Sequence, residues 1–370
     1  MKIGCVTEIK KQEYRVGMTP SCAAAYVSDG NEVYIQQGAG AGSGFADEEY
    51  EEAGAKLLPD AKSVFDTVDM IIKVKEPLPE EYGLFREGQI LYTYLHFAAD
   101  EVLTKAMLDA KVKGIAYETI ERNGTLPCLK PMSQIAGRLS VQEGAKYLEK
   151  PFGGRGVLLG GVPGVERGKV TIIGSGVVGT NACQMAVGLG ANVTVLDVNL
   201  DRLEYLEDVF GARINTLNST EANIIACLKE SDLVIGAVLI PGAVAPKLVK
   251  RSYLKHMKKG AVMVDVAVDQ GGCFETTKPT SHNDPTFEVD GVVNYCVANM
   301  PGAVPRTATI ALTNTTLAYG RMIARLGVEE ACKKSEPLLK GLNVYEGKCT
   351  YEAVADAFSL PYTPPLSAMG

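Results

Sequence analysis

The sequence predicts an α/β protein built from two doubly wound domains, and three observations support this prediction. Short apolar runs rich in β-branched residues alternate with helical segments along the chain, which is typical of parallel sheets flanked by helices. The 370 residues are enough for two domains. A glycine-rich turn between a strand and a helix lies in the middle of the chain, after a first α/β region.

That turn is the most informative stretch of the sequence. The apolar run Val170 to Ile173 predicts a buried strand, and it leads directly into Gly174-x-Gly176-x-x-Gly179 and a helix that ends at Gly190. A second strand then stops at Asp197. In this register the three glycines permit a tight turn, a close approach of the backbone to a pyrophosphate and close packing of the helix on the strand. The pattern favours a nicotinamide or flavin dinucleotide site, and a merely structural turn is the alternative.

Asp197 favours NAD over NADP. A carboxylate after the second strand can accept hydrogen bonds from the ribose hydroxyls and repels a 2′-phosphate. Val198 and Asn199 carry no positive charge, so Arg202 is the only cation nearby that could accommodate such a phosphate.

The first third of the chain places single polar residues after predicted strands. Lys75 follows the strand predicted over Asp69 to Val74, and His96 follows the one over Gln89 to Thr93. The carboxyl edge of an open α/β sheet is where ligands bind, so both side chains are candidate site residues. A solvated lysine and a structural histidine are the alternatives, and Arg15, on a loop, is a surface residue by the same reasoning.

The second domain repeats this arrangement. Asp269 and Asn299 follow predicted strands on the side expected to hold nicotinamide, although Asp269 is also ordinary in a glycine-rich turn. A long helix predicted over Thr307 to Leu326, ended by Gly327, returns the chain to the first domain. We therefore predict two Rossmann-like domains, a discontinuous substrate domain (1–128 plus 306–370) and an NAD-binding domain (129–305), with an active-site cleft between them.

Composition excludes several classes of function. The net charge of −7 gives no electrostatic footprint for nucleic acid or an anionic membrane. The nine cysteines form no C-x-x-C pair and no Cys/His cluster at metal-binding spacing, so we expect reduced thiols, no metal and a cytoplasmic location. The start of the chain lacks the apolar core of a signal peptide, and no run of about 18 apolar residues predicts a membrane span.

Several long motifs occur in order along the chain. They are Glu13-Tyr-Arg-Val-Gly-Met-Thr-Pro20, Lys73-Val-Lys-Glu-Pro-Leu-Pro79, Tyr94-Leu-His96, Pro131-Met-Ser-Gln-Ile-Ala-Gly-Arg138, Gly153 to Pro163, Val266 to Glu275 and Tyr295 to Arg306. Through them nearly the whole chain resembles the bacterial L-alanine dehydrogenase family. The departures are small: Ser175 inside the glycine triplet and a less familiar tail after Gly327.

The resemblance implies a role for each matching position. Arg15 and Lys75 hold the carboxylate and carbonyl of pyruvate, with Asn299 close to the substrate. His96 is the general acid/base, and Asp269 is a second acid/base or orienting group. The residues expected to contact NAD are Ser133, Gly174, Gly176, Val177, Gly179, Asp197, Arg202, Ser219, Val238, Leu239, Val266, Ala267, Val268, Lys278, Val297, Ala298 and Met300.

The resemblance also implies the reaction and the assembly. The predicted reaction is NAD-dependent oxidation of L-alanine to pyruvate and ammonium and its reverse, catalysed by a cytoplasmic homo-oligomer, commonly a hexamer, with no nucleic-acid or membrane partner. Two alternatives remain: a transhydrogenase-like NAD-binding module, and a dehydrogenase of another small L-amino acid.

Overall fold

The computed structural model describes residues 1–238 and 245–370. The chain divides into two compact units. Unit 1 consists of Met1–Met132 together with Val304–Gly370, and unit 2 consists of Ser133–Ala303.

The first stretch of unit 1 alternates strands and helices. Thr19 begins the first helix, because its side chain accepts a hydrogen bond from the backbone N–H of Cys22 and Pro20 stands at the first helical position. The strands are β1 (Lys2–Cys5), β2 (Glu32–Gln36), β3 (Lys56–Leu58), β4 (Met70–Ile72), β5 (Ile90–Thr93) and β6 (Lys113–Ala116). The helices are α1 (Pro20–Ser28), α2 (Asp47–Glu52), α3 (Ala61–Thr67), α4 (Pro79–Tyr82) and α5 (Glu101–Asp109).

A long helix, α6 (Lys130–Tyr147), leads into unit 2. The strands of unit 2 are β7 (Lys169–Ile173), β8 (Asn192–Asp197), β9 (Ile214–Asn218), β10 (Leu233–Gly236), β11 (Val262–Asp265), β12 (Thr286–Val289) and β13 (Val292–Tyr295). Its other helices are α7 (Val177–Gly188), α8 (Leu200–Phe210) and α9 (Glu221–Glu230).

The last stretch returns to unit 1. Helix α10 (Pro305–Lys334) contains a break at Gly327, where φ is 79° and ψ is 165°. Gly327 therefore ends the first helical segment as predicted, but a second segment follows. The remaining elements are α11 (Glu336–Gly341), β14 (Leu342–Tyr345), β15 (Lys348–Cys349), α12 (Glu352–Phe358) and α13 (Pro365–Met369).

Each unit has one sheet with a point at which the strand order reverses. In unit 1 the order is β15-β14-β6-β5-β4-β1-β2-β3, so the chain winds outwards in both directions from the β1–β4 pair. In unit 2 the order is β12-β13-β11-β10-β7-β8-β9, and the reversal lies between β7 and β10. Ligands of open α/β sheets bind outside the carboxyl ends of the strands at such a reversal. Both sheets have parallel pairing throughout, except at β12, β14 and β15.

The doubly wound α/β fold predicted from the sequence is confirmed, and three details differ from the prediction. The edge strands β3 and β12 were not predicted, since both are short and at most half-buried. The sequence before Met257 also predicts an α-helix, but the structure has only a 3₁₀ segment there, Arg251–His256. A further strand pair, β14 and β15, follows the return helix and extends the sheet of unit 1.

Among the described residues, no helix combines the length and apolar character that a membrane crossing requires.

Candidate active site

Three neighbouring strands of unit 1 lead to the three predicted substrate-binding and acid/base residues. Strand β4 lies between β1 and β5 in parallel register. Arg15 lies on the loop after β1, Lys75 follows β4 and His96 follows β5. All three residues therefore lie at the carboxyl edge of the sheet, beside the reversal of strand order.

Arg15 is a buried, tightly held cation. Only 3% of the residue is exposed, so it is not the surface residue that its loop position suggested. Its Nε donates to Oε1 of Glu13 and its Nη2 to Oε2, each at 2.6 Å, while Nη1 lies 3.1 Å from Sδ of Met132. The loop itself is tied to α10, because the N–H of Val16 donates to Oγ1 of Thr309 at 3.1 Å. Charge-assisted, bidentate pairing fixes the plane of the guanidinium.

Lys75 is the second positively charged residue of the candidate site, after Arg15. Its side chain is half-buried. Burial, and after it the nearby charge of Arg15, lowers the pKa of Lys75 below its ordinary value. An anion bound beside Lys75 would reverse this shift, because an opposite charge favours the ammonium form.

A buried charge cluster lies at the end of β4, just before Lys75. Lys73 is fully buried, and its Nζ lies 2.8 Å from Oε1 of Glu81 and 3.2 Å from Oε2 of Glu8. Burial works against the ammonium form, but the two carboxylates outweigh it and raise the pKa of Lys73. Glu8 also accepts a hydrogen bond from the N–H of Val74 at 2.6 Å. The cluster therefore anchors the backbone that precedes Lys75.

His96 is held through both its backbone and its ring. Its φ of 50° lies in the left-handed region, which few residues other than glycine adopt. The Glu118 carboxylate supports this turn by accepting the N–H groups of Leu95, at 3.0 Å, and His96, at 2.6 Å. The ring stacks on Tyr94 with centroids 5.9 Å apart, and its Nδ1 lies 3.2 Å from Oε2 of Glu76. The side chain remains 44% exposed, so a ligand can reach it.

The glycine turn of unit 2 has the shape that a dinucleotide requires. A Cβ at Gly179 would lie 1.8 Å from the carbonyl oxygen of Gly174, so only glycine allows α7 to pack this closely on the turn. Gly174 has a φ of +103°. A Cβ at Gly176 would meet nothing within 4 Å. The open space above Gly176, at the N-terminus of α7, fits a pyrophosphate bound by backbone N–H groups.

Asp197 is joined to this turn. Its Oδ2 accepts the N–H and the hydroxyl of Ser175, both at 2.6 Å, and its Oδ1 accepts the N–H of Asn199 at 2.9 Å. Burial raises the pKa of Asp197, but these hydrogen bonds outweigh it, so the net shift is downwards and the group is a carboxylate. Each carboxylate oxygen has two lone-pair sites, so Ser175 uses both sites of Oδ2 and a ribose hydroxyl would have to bind at Oδ1.

Arg202 contacts the same turn from α8. Its Nη2 donates to the carbonyl oxygen of Ser175 at 2.8 Å and to Oγ1 of Thr180 at 3.0 Å, and its guanidinium lies 4.7 Å from the ring centroid of Tyr205. The cation that could have favoured a 2′-phosphate is thus engaged in holding the glycine turn.

Most of the other predicted site residues follow the carboxyl ends of the parallel strands. They are Ser219 after β9, Val238 after β10, Val266, Ala267, Val268 and Asp269 after β11, and Val297, Ala298, Asn299 and Met300 after β13. Two of these residues have a contact that holds their loop in place. The N–H of Ser219 donates to the carbonyl oxygen of Asp197 at 2.9 Å. The carbonyl oxygen of Asn299 lies 3.2 Å from the imidazole Nε2 of His282.

Two of the described predicted cofactor residues, Ser133 and Lys278, do not follow a strand. Ser133, half-buried, lies in the first part of α6. Lys278 is exposed, with its Nζ 4.3 Å from the ring centroid of Phe287. Leu239 lies outside the described residues.

The buried carboxylate of Asp265, at the end of β11, was not predicted from the sequence. It is fully buried and accepts hydrogen bonds from the N–H groups of Ala267, at 3.0 Å, and Phe274, at 3.2 Å, and from the hydroxyl of Thr277. Burial raises the pKa of Asp265. Asp265 thereby joins the Val266–Asp269 loop to the segment that leads to Lys278. Its only sequence signal was an acidic residue inside an apolar run.

Within residues 1–238 and 245–370, no three His, Cys, Asp or Glu side chains are grouped closely enough to hold a metal ion. The nine cysteines are free thiols.

Comparison with known proteins identifies the family. The model of the alanine dehydrogenase/PNT N-terminal domain matches residues 4–136, and that of the C-terminal domain matches residues 140–352. The chain is 57% identical to the alanine dehydrogenase of Methanococcus maripaludis, over 100% of both chains, and 57% identical to that of Staphylococcus haemolyticus, over 98% of both. The chain belongs to the alanine dehydrogenase/PNT family.

Solved structures agree with this assignment. A structure of L-alanine dehydrogenase matches with a TM-score of 0.95 and 54% identity, covering 97% of this chain and 99% of that one. The transhydrogenase of Sinorhizobium meliloti matches with a TM-score of 0.83 and 25% identity, covering 95% and 100%. The predicted family, the class of NAD-dependent amino-acid oxidoreductase and the nicotinamide cofactor are confirmed.

Proposed function

We propose that this chain oxidises L-alanine with NAD and water to pyruvate, ammonium and NADH, and catalyses the reverse reductive amination. One observation carries the proposal: Arg15, Lys75 and His96 follow the neighbouring strands β1, β4 and β5 at the reversal of strand order in the sheet of unit 1. Two cations and one histidine at a single sheet edge suit a small anionic substrate that must also exchange protons. Unit 1 is accordingly the substrate domain.

The cations divide the work of binding. Glu13 already neutralises Arg15 and fixes its orientation, so Lys75 supplies most of the uncompensated positive charge. Arg15 is proposed to orient the substrate carboxylate, and Lys75 to hold the oxygen of the reacting carbonyl. When water adds to the imine derived from alanine, an ammonium group at that oxygen stabilises the developing negative charge. Asn299 is proposed to contact the substrate.

His96 is proposed to move the protons. Its Nε2, on the ring edge away from Glu76, takes a proton from the attacking water and returns it to the departing amine. Asp269 is proposed as a second acid/base or orienting group close to the reacting carbon. It is exposed in a short 3₁₀ segment after β11.

Unit 2 is proposed as the NAD domain. Bound NAD would supply the acceptor for the hydride that leaves Cα of alanine, and the residues of unit 2 would position the nicotinamide. The glycine turn and α7 would hold the pyrophosphate, Asp197 and Ser219 the adenosine ribose, and the loops after β10, β11 and β13 the nicotinamide half. Ser133, Lys278 and Leu239 complete the proposed contacts. We also propose that the chain forms a cytoplasmic homo-oligomer, which the family resemblance indicates is a hexamer.

The test is the absorbance of reduced nicotinamide, measured with purified protein, NAD and separate L-alanine, L-serine, L-valine and L-glutamate. We expect reduction with alanine well above the other three amino acids. Comparable rates with serine or valine would reassign the substrate. No reduction with any of them, in protein that binds NAD, would favour a binding module. In parallel, H96A should abolish turnover and retain NAD binding.

A further inference from the structure

We propose that Glu76 is a positioning residue that fixes the tautomer of His96, holding the ring proton on Nδ1 and leaving Nε2 as the base. This inference rests on the proposed function, because it explains how His96 comes to be competent. Glu76 follows Lys75 directly in the turn after β4, and its sequence position alone predicts no role for it.

Among the residues that the structure describes, each carboxylate oxygen of Glu76 has one hydrogen-bond partner. Oε2 lies 3.2 Å from Nδ1 of His96, and Oε1 is bound by Nζ of Lys10. The Glu76 side chain is only 14% exposed, whereas that of His96 is 44% exposed. The acceptor is therefore held in place by the fold, and the open edge of the imidazole is the one that carries Nε2.

The charge state of Glu76 determines which ring nitrogen bears the proton. Burial favours the neutral acid, but the hydrogen bonds from His96 and Lys10 outweigh it, and the pKa of Glu76 lies well below its ordinary value. A carboxylate only accepts hydrogen bonds. Nδ1 must then be the donor, so neutral His96 has its lone pair on Nε2. When Nε2 gains a proton during the reaction, the adjacent carboxylate stabilises the imidazolium.

Two further contacts fix the position of the His96 ring relative to Glu76. Glu118 fixes the backbone of His96, as described above, and the Tyr94 ring stacks on the imidazole at an interplanar angle of 25°. With the backbone and the ring plane both set, the acceptor at Nδ1 is what remains to select the tautomer.

Lys10 makes a sharp test possible. In E76Q the side chain has a single oxygen, and this oxygen accepts the hydrogen bond from Lys10, because a lysine can only donate. The amide NH₂ then faces His96, so Nδ1 must accept and the ring proton moves to Nε2, where it blocks the base. In the double variant K10M/E76Q the amide is free to turn its oxygen towards Nδ1, which restores the original tautomer. The Lys10 side chain is 41% exposed, so methionine is tolerated there.

The tautomer can be observed directly, because the chain has only three histidines. Protein labelled with ¹⁵N-histidine gives few ring signals, and the H96Q variant identifies those of His96. We expect E76Q to reverse the tautomer and to lower kcat with NAD and L-alanine by roughly 10²-fold, within the range that general acid/base groups contribute. The KM for NAD should stay within about twofold. K10M/E76Q should restore the tautomer and at least about tenfold of the lost kcat.

The matched control is E80Q, the same change at an exposed glutamate in α4 of the same segment, which should leave the tautomer and kcat unaltered. An E76Q protein with unchanged tautomer, or with reversed tautomer and kcat within about twofold of wild type, overturns the inference. Its failure is separable from that of the proposed function. Wild-type protein that does not oxidise alanine, or H96Q protein with full turnover, contradicts the proposed function itself.

Discussion

The carboxylate of Glu13 holds the guanidinium of Arg15 through two parallel hydrogen bonds, each 2.6 Å long, and both residues are buried. Because both charges are removed from water, their mutual attraction offsets part of the cost of burying them. The pair is a scaffold for a proposed substrate ligand and also a source of instability when either member is changed alone.

Changing Glu13 alone should destabilise the protein. In E13M the buried charge of Arg15 loses the Glu13 carboxylate, and we expect the free energy of unfolding to fall by roughly 3–5 kcal/mol. The double variant E13M/R15M should regain most of this stability without regaining activity. Urea denaturation and alanine oxidation measure the two effects. The control K56M breaks an exposed pair with Glu32 and should cost less than about 1 kcal/mol; a similar loss in E13M would contradict the argument.

Adding one methyl group at Gly176 should separate cofactor binding from folding. Nothing lies within 4 Å of a Cβ there, so G176A should keep the wild-type melting temperature in the absence of NAD. The methyl group fills the space proposed for the pyrophosphate, so the Kd for NAD should rise roughly tenfold or more, about 1.4 kcal/mol. Titration calorimetry measures the Kd. G188A, also in α7 and also unobstructed, is the control; equal NAD affinity in both variants would place the pyrophosphate elsewhere.

Removing the Asp197 carboxylate should relax cofactor choice towards NADP. In D197A the charge that repels a 2′-phosphate is lost while Arg202 remains on the same turn, so the NAD to NADP ratio of kcat/KM should fall by about tenfold or more. The comparison is with D201A, which removes an exposed carboxylate from the first turn of α8 and should keep the wild-type ratio. A D197A enzyme with unaltered preference refutes this role for the carboxylate.

Pyruvate binding should weaken as the pH rises, because Lys75 loses its positive charge. Its pKa is lowered, chiefly by burial, so the ammonium form is lost as pH rises through a value below that of an ordinary lysine. The Kd for pyruvate in the presence of NADH should therefore be lowest at neutral pH and increase on the alkaline side. In K75R the charge persists, because a guanidinium does not titrate in this range. If K75R and wild type show the same alkaline increase in Kd, another group is responsible.

The sequence was sufficient wherever a local pattern determines the structure. The β7–turn–α7 unit follows from its glycine spacing, and the carboxyl-edge placement of Lys75 and His96 follows from apolar runs that end just before them. The partners of these residues could not be predicted in the same way. The Glu118 carboxylate accepts the N–H of His96 from the 3₁₀ segment that follows β6, and the spacing of residues in the sequence does not indicate such a contact. The burial of Arg15 depends likewise on Glu13 and Met132 together.

The position of β14 has a consequence for synthesis of the chain on the ribosome. Strand β14 pairs antiparallel with β6, with Leu342 opposite Ile115 and Tyr345 opposite Lys113, and all of unit 2 is translated between them. Unit 2 is contiguous, so it can complete its sheet while the C-terminal residues are still being added. Until β14 is translated, the first six strands of unit 1 lack the partner of β6. In nascent chains stalled before residue 342, unit 2 should therefore resist protease while unit 1 is still cleaved, although synthesis of unit 1 begins first.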